Sequence, residues 1–151
     1  MRKQRKEGFS LVELLIVLAV IAALISTITP IAMNAVRKAE ALQVAMNFRV
    51  LAMSMESRLI LNKTVPDNIT DLGRDIDTDD YGIAYADEEG TYKVAVFTTD
   101  EVNFETLHET LAAATNTTDV IPDEASYIPG GLGADELPEA NALYYFELEI
   151  Y

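Results

Sequence analysis

Between Phe9 and Met33 the chain runs 25 residues with a single charge, Glu13. Wound as an α-helix at about 1.5 Å per residue, that run is long enough to cross a hydrocarbon core of roughly 30 Å. The segment in front of it, MRKQRKEG, is short and mostly basic. Basic residues stay on the cytoplasmic side of a spanning helix, which puts everything from about Arg37 onward outside. The apolar run exceeds the length of a cleavable secretory core and no A-x-A-like site follows it. Ser26–Thr27 and Thr29–Pro30 lead straight into more helical sequence.

The decapeptide Gly8-Phe9-Ser10-Leu11-Val12-Glu13-Leu14-Leu15-Ile16-Val17 resembles the signature of type IV pilins and of the pseudopilins of type II secretion. The resemblance is strong over residues 1 to 35 and architectural beyond them. It implies that a prepilin peptidase cuts between Gly8 and Phe9 and N-methylates Phe9, with Glu13 kept as an assembly residue and Pro30 as a helix-bending proline. The fold implied is α+β, a long N-terminal helix packed on a small antiparallel sheet. Residues 1–8 would be the cleaved leader and 9–35 the transmembrane and filament-core half of the helix. Residues 36–151 would form an extracytoplasmic head that includes the rest of the helix. The function implied is that of a pilin: a homo-oligomer in a helical filament, raised from the inner membrane by a pilus assembly platform and ending at the cell surface. The alternative is a type II secretion pseudopilin. A membrane-tethered extracytoplasmic binding module is the reading from a different class.

Physical chemistry gives Glu13 a role of the same kind. A charged group in a spanning helix costs roughly 2.5–3.5 kcal/mol at the centre and less near an end, where Glu13 stands, so it needs a partner. The free amine created on Phe9 of a neighbouring copy would supply one after cleavage. Pro30 removes one backbone donor and crowds the carbonyl four residues back, which predicts a bend and, in a filament, local unwinding of the turns before it.

Composition bounds the rest. The chain has 151 residues, enough for one head with a modest core, and no cysteine, so no disulfide closes the C-terminal region. The net charge of −14 includes +3 from the leader, leaving −17 on the remainder. Beyond Lys93 there is no Lys or Arg at all. Such a surface repels phosphates, so no nucleic-acid partner is expected.

From Ile31 to about Asn62 the helical pattern has two apolar stripes. Leu42, Met46, Val50, Met53 and Ile60 form one; Val44, Phe48, Leu51, Met55 and Leu59 form the other. A helix with one partner needs one stripe, so one face is expected to hold the head and the other to meet neighbouring subunits. Asn62–Asp80 reads as a polar loop broken by Pro66 and Gly73. Strands are expected at Tyr81–Ala86 and Thr91–Thr98, joined by a turn at Asp87–Gly90. Thr99 or Asp100 is expected to cap a short helix reaching about Ala114, with loop from Thr115 to Leu137. Leu143–Tyr151 alternates Tyr144, Phe146, Leu148 and Ile150 with Tyr145, Glu147, Glu149 and Tyr151, the pattern of a closing strand with one dry face.

Few residues point to chemistry. Asp75, Asp77 and Asp79 alternate as in a calcium loop, but Asp80 occupies the turn-glycine position and Ala86 the closing-Glu position. A solvated acidic loop is the expectation, with calcium as its alternative. The sole histidine, His108, lacks a second His or Cys and a nucleophile, so a surface histidine is expected. Asn62-Lys63-Thr64, Asn68-Ile69-Thr70 and Asn116-Thr117-Thr118 fit the glycosylation triplet, a pattern short enough to recur by chance. Gly130–Gly133 lacks the Lys-Ser or Lys-Thr of a phosphate cradle. No active site and no enzyme activity are expected.

Overall fold

A computed structural model describes residues 8–150, in two compact units divided between Val36 and Arg37. The expected leader, Gly8 apart, and the terminal Tyr151 of the expected last strand lie outside the described residues. One helix, α1 (Leu11–Asn62), contributes to both units.

The first unit is its apolar half. An 18-residue window there has a mean hydropathy of 2.8, and none of it is buried. Pro30 sits inside the helix without ending it. The hydroxyls nearby are satisfied within the same turns: Thr27 Oγ1 donates to the Ala23 carbonyl at 3.0 Å and Thr29 Oγ1 to the Ile25 carbonyl at 2.8 Å. These back-bonds let polar side chains stand on an apolar helix with no outside partner.

The second unit is a helix-on-sheet head. Strands β1 (Tyr81–Glu88), β2 (Thr91–Thr98), β3 (Ala114–Thr115), β4 (Ser126–Tyr127) and β5 (Ala142–Glu149) form one antiparallel sheet in the order β3-β5-β2-β1-β4. The hairpin between β1 and β2 is tighter than expected. The strands extend to Glu88 and Thr91, and Glu89 and Gly90 turn the chain with φ of 54° and 92°. Both central residues are left-handed, the turn whose twist matches its strands, and Gly90 takes that conformation at no steric cost.

Alternation along β2 divides the core in two. Val94 and Val96 join Phe48, Leu51, Met55 and Leu59 of α1, with Ile83, in the main buried cluster. Ala95 and Phe97 face the other way, with Ala84 and Leu143, under Ile121, Ala125, Tyr127, Leu132 and Leu137. The region expected as plain loop is therefore a lid over the back of the sheet, with two short strands and two 3-10 turns. It lies close to β1: the Leu132 N–H donates to the Tyr81 carbonyl at 2.9 Å, and a side chain at Gly82 would collide with the Phe97 ring and the Leu132 carbonyl.

The short helix differs from expectation. It is α2 (Phe104–Thr110), capped by Asn103, whose side chain accepts from the Thr106 N–H at 2.9 Å. Thr98 and Asp80 explain why the cap is not at Thr99 or Asp100. The buried Thr98 hydroxyl donates to the Asp80 carbonyl and accepts from the Asp100 N–H, holding residues 98–100 beside residue 80 and out of the helix. The far end stops at Thr110, whose carbonyl is taken by Arg49 at 2.8 Å.

Without cysteine, the C-terminal segment is held by pairing. All eight residues of β5 pair with β2, and β3 adds two pairs on its other edge. The two helix stripes separate as expected: Val44, Phe48, Leu51, Met55 and Leu59 are buried, whereas Leu42, Met46, Val50, Met53 and Ile60 are exposed, Met53 to 68%. Phe48→Ala should therefore cost about 3–5 kcal/mol. Met53→Ala should stay within about 0.5 kcal/mol. Denaturant melts of the detergent-solubilised full chain check both.

Candidate functional site

The first turn of α1 carries the residues singled out at the N-terminus. Ser10 precedes the helix, and the Leu14 N–H closes on its carbonyl at 3.1 Å. Its hydroxyl accepts from the Val12 N–H at 3.3 Å, and Glu13 Oε2 accepts from the Ser10 N–H at 2.8 Å. This is a capping-box arrangement in which the hydroxyl takes the second free N–H of the helix in place of the third. The pattern Ser-x-x-Glu before an apolar run announces it, and the sequence reading, occupied with a partner for Glu13 in another copy, missed it. In the single chain Glu13 thus meets a donor of its own, at the positive end of the helix dipole. Phe9 stands beside it, 87% exposed. Pro30 lies more than four turns further along the same helix.

The other candidates fall in the head. Asp75, Asp77 and Asp79 are exposed, and Asp77 Oδ1 accepts from the Asp79 N–H at 3.1 Å. Asp75 and Asp77, but not Asp79, line an open cleft of about 770 Å³ with Arg37, Glu40, Asp100 and Glu101. Among the described residues no three His, Cys, Asp or Glu side chains stand where they would share a metal ion. Tyr81 also lines this cleft. Its hydroxyl accepts from Asn47 Nδ2 at 3.0 Å, and its ring meets Phe48 edge-on at 6.0 Å. His108 is exposed, stacks on Phe104 at 5.7 Å and places Nδ1 3.0 Å from the Ala114 carbonyl, a structural contact closing the turn after α2. Asn68 of the second glycosylation triplet spends its side chain capping a 3-10 turn, accepting from the Thr70 N–H and hydroxyl.

The cleft has one electrostatic peculiarity. Half-burial raises the proton affinity of Asp100, and the like charges of Asp80, Asp77 and Glu40 raise it further. An acid harder to ionise in the folded state than in the unfolded chain weakens the fold while it is charged.

Comparison with known proteins bears on the first of these regions. The prokaryotic N-terminal methylation motif matches residues 3–29, the type IV prepilin-type signature. The match includes Gly8, Phe9, Ser10 and Glu13 and stops one residue short of Pro30. No curated protein and no solved structure matches the chain. Motif and architecture together support a member of the type IV pilin or pseudopilin class, point to a structural and not an enzymatic role, and fit a membrane-anchored precursor.

Asp100→Asn should raise the melting temperature at pH 7. The wild-type deficit relative to this variant should shrink as pH falls through the raised folded pKa of Asp100, and vanish below its unfolded value. Thermal melts of both full chains between pH 3 and 8 give the difference.

Proposed function

We propose that this chain is the structural subunit of a type IV pilus filament. A peptidase cut after Gly8 frees the Phe9 amine for methylation, and the apolar half of α1 leaves the membrane to pack among copies of itself on an assembly platform. The observation that carries this reading is the wholly uncovered apolar half of α1, most of which the methylation motif spans. The exposed stripe of Leu42, Met46, Val50 and Met53 supports it, because it is a second apolar face that the head leaves uncovered.

In this reading Glu13 exchanges the Ser10 N–H for the ammonium group of Phe9 in a neighbouring copy. A charge-assisted hydrogen bond from that ammonium is roughly twice as strong as one from a neutral amide. The precursor, whose residue 9 nitrogen is an amide, has no such charge to offer. Cleavage would thereby switch the carboxylate from an internal cap to an intermolecular contact. Calcium binding by Asp75 and Asp77 is no part of this reading.

Mass spectrometry of appendages sheared from producing cells should find chains beginning at N-methylated Phe9. Glu13→Gln should still be cleaved, yet enter filaments roughly tenfold less or worse, since removing one partner of a desolvated pair costs several kcal/mol. A product that stays in the bilayer with its leader attached would overturn the proposal in favour of a tethered binding module.

A further inference from the structure

Burial fades in the same direction along the three central strands. On the face shared with α1, Ile83, Val94, Val96 and Ala142 are fully buried, but Tyr85, Tyr92, Phe146, Leu148 and Ile150 are only partly so. Their register makes these five a single patch. Tyr85 lies across from Val94 and Val94 from Phe146, Tyr92 lies across from Leu148, and the Ile150 N–H reaches the Gly90 carbonyl at 2.9 Å. The helix thus covers the sheet at one end and leaves an aromatic platform at the hairpin end. At the turn, Asp87 and Glu89 make this end of the sheet acidic, while Glu147, Glu149 and Glu88, which holds Lys93 at 2.6 Å, lie on the sheet's other face.

Among the described residues the head also carries the exposed outer stripe of α1, and this stripe and the partly buried platform are complementary. The stripe is aliphatic and sulfur-bearing, and methionine sulfur on aromatic rings is a favourable contact. Arg49 and Glu56 flank it at helical-neighbour spacing from Met53, and the helix from Arg37 to Asn62 holds four basic and two acidic residues, a net of +2 against the acidic turn beside the platform. Within one copy the inner face of α1 is already committed to the sheet, so its outer stripe turns away from its own platform.

We propose that the outer stripe of α1 in one copy, centred on Met46 and Met53, docks on the platform formed by Tyr85, Tyr92, Phe146, Leu148 and Ile150 of the next copy. The contact rests on the filament reading above and adds to it the surface that receives the helix. It joins two different surfaces, so each copy offers one half to each neighbour, the head-to-tail kind of contact that an open helical filament requires.

The cysteine-free chain makes the contact directly testable. Met53→Cys combined with Leu148→Cys, oxidised in filaments sheared from producing cells, should give a disulfide-linked ladder of multimers, and each single variant only monomer. Met53→Glu should lower filament yield roughly tenfold at an unchanged level of cleaved protein. Double-variant filaments assembled at the wild-type level that yield monomer alone overturn the contact and leave the filament reading standing. Dimers from Met53→Cys alone overturn it too, because the stripes would then face one another. If the wild-type chain forms no filament, the parent reading fails and the contact with it.

Discussion

Phe48, Leu51, Met55 and Leu59 share one dry cluster with Ile83, Val94 and Val96, and most of the head is arranged around that contact. Burying seven such side chains contributes on the order of 10–20 kcal/mol before conformational entropy is set against it. A helix alone in water has no comparable source of stability, so the C-terminal half of α1 is ordered largely by the sheet it covers. The sheet in turn needs the helix, since an antiparallel sheet with one apolar face must cover it. Both faces of this sheet are apolar at the centre, which is why residues 121–140 fold back over Ala95 and Phe97.

That layering explains how the head does without a disulfide. A cross-link would act chiefly by restricting the unfolded chain. Here the last strand lies between β2 and β3, with Ala142 and Leu143 fully buried, one in each cluster. Leaving the sheet would cost β5 a ladder of hydrogen bonds and open two cores together. The C-terminus is thus tied in by position in the strand order, and cysteine is dispensable.

How much of this was legible depends on the range of the forces involved. The two stripes of α1 were readable because the helical period is local, and β1, β2 and β5 because eight-residue alternations are. The turn tightened to Glu89–Gly90 once strand twist selected a left-handed pair. Nothing local could place β3 and β4: two residues each, they are strands only because Tyr144 and Ala84 lie opposite them. Asn103 lost to Thr99 and Asp100 as the expected cap because the bond from Thr98 to Asp80 spans 18 residues. Ser10 and Glu13 form the contrary case. Their capping box was fully local and still overlooked, because a carboxylate in an apolar helix directs the search for a partner outward. Among the functional residues, then, the cleavage pair Gly8–Phe9 and Glu13 rest on a sequence signature, while the aromatic platform emerges only when three strands are set in register.

A charge of −17 on residues 9–151 opposes the packing of copies, and its distribution decides the matter. Twelve acids and no Lys or Arg follow Lys93, whereas four of the seven remaining basic residues stand on α1. At physiological salt, exposed charges interact over about 8 Å, less than the roughly 10 Å between packed layers. Acids on the lid, behind the sheet, are therefore largely screened from whatever meets the helix in front. On the C-terminal half of α1, which carries the exposed apolar stripe, basic residues outnumber acidic ones four to two. Association would be driven by apolar burial at a face kept close to neutral, while the acidic lid keeps the opposite side soluble and averse to its own kind. Joining the stripe of one copy to the platform of the next would leave one directed, head-to-tail approach between copies attractive, which favours an ordered polymer over an aggregate.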